Sequence, residues 1–148
     1  MASTRFPGKP LVKIDGIPMV QRVWQQATKS KVGEVYVACS EKEVYDLIKS
    51  LGGNAILTNP NLPSGTDRVH SAFEQIKNSS NINSIINLQG DMPLIEPEHI
   101  KKVIEPLKNN YSLGTIATSL KDSERMNPNV TKVLINWKQS SLGEATSF

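Results

Sequence analysis

The sequence predicts an α/β fold, a mostly parallel sheet with helices on both faces. Three observations carry that expectation. Short β-branched apolar runs alternate with longer stretches of helical periodicity, and the connections between them span only a few residues. The run around Ile85-Ile86 is continuously apolar, as a strand buried on both faces must be.

Taken in order, Pro18–Lys29 reads as a helix, with Trp24 as a core residue. Gly33–Cys39 reads as a strand, β-branched and aromatic, entered through a glycine. From Glu41 to Leu51 the apolar residues Val44, Leu47, Ile48 and Leu51 recur at helical spacing, with Ser40 as the expected N-cap and Gly52-Gly53 as the stop. Asn54–Thr58 is a second strand, followed by a loop through Gly65 and a helix from near Thr66 carrying Val69, Phe73 and Ile76. A polar turn at Asn78–Asn81 leads to a strand over Ser84–Leu88. Pro97–Asn109 reads as one helix, and Leu113–Leu120 and Val130–Trp137 read as strands. From Lys138 the periodicity is lost. The expected organisation is one domain over residues 1–137 and an irregular tail over 138–148.

Composition narrows the class. The chain has 148 residues, enough for one domain with a real core. Its single cysteine excludes an internal disulfide framework, and no Cys/His cluster has zinc-ligand spacing. No apolar run suits a membrane span and no secretory segment follows Met1, so membrane insertion is not expected and the cytoplasm is the default location. A net charge of +3, scattered along the chain, with Phe 3, Tyr 3 and Trp 2, does not point to nucleic acid.

Three loops carry residue types suited to chemistry. Ser3-Thr4-Arg5-Phe6-Pro7-Gly8-Lys9-Pro10-Leu11 sets two cations four apart around a Pro-Gly turn. Such a segment wraps phosphates or is simply a basic terminus. Pro63-Ser64-Gly65-Thr66-Asp67-Arg68 opens a helix, where Ser64 or Thr66 caps it and free N–H groups favour an anion or a base carbonyl. Its plain alternative is a capped helix with a glycine turn. Gln89-Gly90-Asp91-Met92-Pro93 follows a strand, and a carboxylate there suits Mg²⁺ held against substrate phosphates. The alternative is a turn-forming aspartate before proline. His70 and His99 lack partner ligands and read as solvated or packed, and Cys39 reads as a small apolar residue.

Taken together, S-T-R-x-P-G-K-P-L, S-G-T-x-R and N-x-Q-G-D-x-P-x-I, continued by Asn127-Pro128-Asn129-Val130-x-Lys132-Val133, resemble the CMP-Kdo synthetases, the 3-deoxy-manno-octulosonate cytidylyltransferases. The resemblance covers roughly residues 2 to 136. Acylneuraminate cytidylyltransferases share the G-K-P-L pattern, but S-G-T-x-R and N-P-N-V favour the Kdo enzymes. The resemblance implies a Rossmann-like nucleotide-diphospho-sugar transferase fold. It also implies Mg²⁺-dependent transfer of a cytidylyl group from CTP to Kdo, giving CMP-Kdo for lipopolysaccharide and pyrophosphate. Lys9 then resembles the family's phosphate-neutralising lysine, with Arg5 in the same motif, and Asp91 its metal carboxylate. Ser64, Gly65, Thr66, Arg68 and Gln89 resemble parts of the nucleotide pocket, and intact relatives are expected to be homodimers.

Departures accompany the likeness. The family's initial strand ending in P-A-R has no counterpart before Ala2, and A-T-D reads Ala38-Cys39-Ser40. Likeness fades after Asn136, where the family continues to a second metal aspartate. The resemblance therefore implies an incomplete sheet and a chain of weak or no turnover. Two alternatives remain: a cytidylyltransferase for another sugar acid such as N-acylneuraminate, or a non-catalytic remnant that at most binds nucleotide.

Overall fold

The computed structural model describes residues 8–77 and 79–148. They form two compact units, the first reaching Lys101 and the second running Lys102–Phe148.

The first unit opens with a 3₁₀ turn, Lys9–Leu11, and a hairpin of β1 (Lys13–Ile14) and β2 (Ile17–Pro18). Asp15 and Gly16 make its turn with φ of 49° and 78°. Positive φ at both positions is what a two-residue hairpin turn demands, and Asp-Gly supplies it. Helix α1 (Met19–Ser30) follows, and its Arg22 clamps the hairpin by donating from Nε and Nη2 to Ile14 O at 2.9 and 2.6 Å.

Strand β3 (Tyr36–Cys39) pairs in parallel with β4 (Asn54–Leu57), and α2 (Lys42–Ser50) makes the crossover between them. This is the βαβ unit that the alternating pattern predicts. The expected Ser40 cap is not seen: Glu41 occupies the N-cap position without a side-chain cap bond. The stop behaves as expected. Gly52 takes φ 78° and donates to Lys49 O at 3.0 Å, while Gly53 donates to Ile48 O at 2.9 Å. That double closure is a Schellman motif, which needs a residue free of Cβ strain at the left-handed position.

Helix α3 (Gly65–Phe73) starts at Ser64, and α4 (Pro97–Lys102) and α5 (Glu105–Lys108) follow. The sequence pattern predicts one helix over Pro97–Asn109; Pro106 divides it, since it has no N–H for the carbonyl four residues back. In the first unit the core gathers Met19, Val20 and Val23 of α1, Cys39 of β3, Val44 and Ile48 of α2, Ala55 of β4, Ala72 of α3 and Ile100 of α4. A Cβ on Gly53 would come within 2.9 Å of the Trp24 ring, so this glycine is what lets the indole lie against the α2–β4 turn.

In the second unit β5 (Leu134–Trp137) and β6 (Gly143–Ser147) form an antiparallel hairpin. The segment 138–148, expected to be irregular, thus contains a strand; its polar sequence GEATS hides the alternation by which strands are recognised. Tyr111 Oη donates to Glu144 Oε1 at 3.0 Å, and Lys138 Nζ lies 3.2 Å from Glu144 Oε2. The Lys138 and Tyr111 hydrogen bonds hold the Glu144 carboxyl below its ordinary range, and the same bond from Tyr111 raises the phenol. A depressed carboxyl stabilises the fold above its unfolded pKa and loses that contribution as pH falls through the folded value. The raised phenol works oppositely, losing its contribution as pH rises through its folded value. Carboxyl ¹³C NMR should therefore place the Glu144 midpoint below that of an unstructured peptide, with hairpin amide protection falling across the same acidic window. A peptide-like midpoint would remove the contact.

Among the described residues every sheet is two-stranded, one parallel and two antiparallel. Ser84–Leu88 and Leu113–Leu120, predicted as strands, have no ladder partner there, and Val130–Trp137 pairs only from Leu134. A strand exists only where a neighbour accepts its hydrogen bonds, whatever its side-chain pattern. The fold is α/β, with the sheet formed in part.

Candidate active site

Described residues of the three chemistry-bearing loops come together, and the second loop reaches the carboxyl end of β4 through Arg68. Gly8, with φ 71°, turns the chain into the Lys9–Leu11 segment, and Lys9 Nζ reaches Asp91 Oδ2 at 2.8 Å. These two residues are 82 apart in sequence, so the pair is a tertiary arrangement. Both are partly open to solvent, at 39% and 51% exposure. Arg5, the other cation of that motif, lies outside the described residues.

At the second loop, Ser64 is the N-cap of α3. Its Oγ accepts from Asp67 N–H at 3.1 Å and also donates to Asp67 Oδ2 at 2.5 Å. The Ser64 hydroxyl is thereby engaged in the cap. Gly65 sits against Gln89, since a Cβ there would meet Gln89 Oε1 at 2.7 Å. Thr66 Oγ1 accepts from Asn87 Nδ2 at 3.2 Å, and Asn87 Oδ1 accepts from Gln89 Nε2 at 2.7 Å. Asn87 is thus the bridge between the second and third loops. Its sequence signal was its place in the same Asn-Leu-Gln-Gly-Asp run, two residues before Gln89.

Arg68 turns back toward the strand ends. Its Nη1 donates to Thr58 Oγ1 at 2.6 Å and to Asn59 O at 3.3 Å. Thr58 is 8% exposed, and its hydroxyl donates in turn to Cys39 O at 3.2 Å. Thr58 ends the second predicted strand, and no local pattern marks it; only the β3–β4 register brings it to Arg68.

The histidines take no part. His70 is 71% exposed and lies 3.8 Å from Glu74, and His99 is exposed on α4. Burial first, and Glu41 next, push the Cys39 thiol up to about 11, while Arg68 opposes them. Only the thiolate attacks, so a disulfide reagent at neutral pH should modify Cys39 much more slowly in the folded chain than in denaturant. Equal rates would place the thiol in the open.

Among the described residues no three His, Cys, Asp or Glu side chains gather as a cation site. No described helix is long and apolar enough to cross a membrane. Two shallow cavities, of about 250 and 280 Å³, are lined by residues outside the cluster, including Trp24 and Tyr45 respectively. The cluster itself is an open surface: a cation against a carboxylate, a helix start, two amides and a tethered guanidinium. Such a surface suits a phosphorylated ligand.

Comparison with known proteins gives a consistent result. The profile of a family described as Cytidylyltransferase matches residues 1–144. A 3-deoxy-manno-octulosonate cytidylyltransferase of Parvibaculum lavamentivorans is 41% identical over 150 residues, covering 100% of this chain and 58% of that protein. One from Rickettsia bellii is 45% identical over 150 residues, covering 100% of this chain and 59% of that protein. A solved CMP:2-keto-3-deoxy-manno-octonic acid synthetase complexed with CTP superposes with a TM-score of 0.66 at 36% identity, over 73% of this chain and 44% of that one. The chain therefore spans about three fifths of the length of these two relatives.

Proposed function

Because the chain belongs to the cytidylyltransferase family, we propose that its loop cluster binds Mg²⁺·CTP and serves transfer of the cytidylyl group to Kdo. The products are CMP-Kdo and pyrophosphate, and the setting is cytoplasmic lipopolysaccharide synthesis. The observation that supports this most is the Lys9–Asp91 pair at 2.8 Å, which joins the first and third loops at one point.

The residues in the cluster fit the metal. Asp91 offers one exposed carboxylate, and Mg²⁺ is commonly held by one or two carboxylates plus substrate phosphates. Asp91 would hold it together with the nucleotide. When bound, the metal would supply positive charge against the phosphates. Lys9 places its ammonium beside the same phosphates, and Arg5 belongs to the same motif. Ser64, Gly65 and Thr66 present the start of α3, Gln89 lies against that glycine, and Arg68 supplies a second cation. The sugar hydroxyl then attacks the α-phosphorus in line, forming the new O–P bond as the bond to pyrophosphate breaks and the hydroxyl proton passes to solvent, and catalysis is chiefly positioning and charge stabilisation. Residues 1–137 are proposed as this nucleotide-binding part, and a homodimer as the assembly of full-length relatives.

Calorimetry with CTP and Mg²⁺, followed by a pyrophosphate-release assay with Kdo, tests the reading. Binding of Mg²⁺·CTP is the expected result, and whatever pyrophosphate is released should depend on Kdo and not arise with N-acylneuraminate. No heat with CTP would overturn it.

A further inference from the structure

Among the described residues the Arg68 guanidinium is held by one end only. Both acceptors, Thr58 Oγ1 and Asn59 O, take their hydrogen bonds from Nη1, which has two protons to give. Among the described residues the Nε–Nη2 edge has no hydrogen-bond partner. A guanidinium edge with two parallel N–H groups matches a phosphate in a bidentate pair. What fixes the direction of that edge is the anchoring of Nη1, and Thr58 supplies its shorter bond.

Thr58 is suited to hold still. It is 8% exposed, its N–H donates to Cys39 O at 2.9 Å, and its hydroxyl donates to the same carbonyl at 3.2 Å. With its proton directed at Cys39 O, the hydroxyl presents a lone pair to Arg68. The β3–β4 pairing thus sets the hydroxyl, and the hydroxyl sets the guanidinium.

We propose that Thr58 is a positioning residue that pre-organises Arg68 to receive a phosphate of the nucleotide, an inference that rests on the nucleotide-site reading above. Ordering a long side chain before the ligand arrives removes that entropy cost from binding. Thr58→Val keeps the shape and the Cys39 carbonyl keeps the backbone N–H, but the anchor is lost.

Calorimetry with Mg²⁺·CTP tests it on Thr58→Val, Thr58→Ser and Arg68→Ala, and on Thr58→Val combined with Arg68→Ala. Thr58→Val is expected to weaken CTP about fivefold to tenfold, Thr58→Ser to restore it, and Thr58→Val to add nothing once Arg68 is alanine. Equal affinity of Thr58→Val and wild type, or the same loss in the Arg68→Ala background, would overturn the role of Thr58 alone. Absence of CTP binding by wild type would instead remove the nucleotide-site reading, and this proposal with it. Side-chain ¹⁵N NMR of the unliganded wild type gives a second readout that needs no variant. Slow rotation of the Arg68 guanidinium is expected; free rotation would contradict the anchor.

Discussion

Asp91→Asn is expected to weaken Mg²⁺·CTP binding by ~10- to 100-fold while leaving the fold almost untouched. The two halves of that expectation have different physical sources. The Lys9–Asp91 pair is partly open to water, at 39% and 51% exposure, and exposed pairs contribute only ~0–1 kcal/mol to stability. Interactions with a charged group in a binding site reach ~1.5–3 kcal/mol, about 10- to 100-fold in affinity. Binding thus loses far more than folding does. Lys9→Ala should behave likewise through the phosphates, with CTP affinity more affected than that of CMP. Calorimetry read beside a thermal melt checks both. A large fall in melting temperature with affinity unchanged would make the pair a structural strut.

Ile48→Ala is expected to have the largest effect on stability. Ile48 is 0% exposed, at the heart of α2, and its γ-carbon lies against Gly53 at the α2–β4 turn. Truncation removes apolar burial and leaves a cavity, at a cost of ~2–5 kcal/mol. Domains of ordinary stability have only ~5–15 kcal/mol in total, so the variant should be partly unfolded under mild conditions. Ile48→Val, which deletes one methyl, should cost ~0.5–1.5 kcal/mol. Urea unfolding monitored by circular dichroism gives both numbers. Equal midpoints for the two variants would mean that the site collapses around the deletion.

Those residues also show how much the sequence discloses. Val44 and Ile48 were legible because helical spacing repeats within a few residues, and the Gly52-Gly53 stop has its own local chemistry. Asp15-Gly16 carries an equally local hairpin signal. Pro106 inside an apolar periodic run was a break that periodicity alone concealed. The strand expected at Ser84–Leu88 finds no partner among the described residues for another reason: apolar side chains encode burial, while pairing requires a neighbour elsewhere in the chain. At the site, Lys9, Gly65, Gln89 and Asp91 are legible as a set through resemblance, and the structure brings Lys9 to Asp91 and Gly65 to Gln89. Arg5 falls outside the described residues. Asn87 stands in the same motif, but its bridging role comes from tertiary contacts, and Thr58 emerges from them alone, because a hydroxyl or an amide gains its meaning from what lies across from it.

The apolar runs that have no ladder partner among the described residues have a consequence for the chain in solution. Ile85 is 51% exposed in the first unit, and Leu113 and Ile116 are 88% and 44% exposed in the second. Backbone without a ladder partner, flanked by β-branched side chains, is a template on which another molecule can add a strand. Self-association should therefore rise steeply with concentration and begin at these segments. A lysine at Ile85 or Ile116 would act there as a gatekeeper, adding charge where a second chain would otherwise dock.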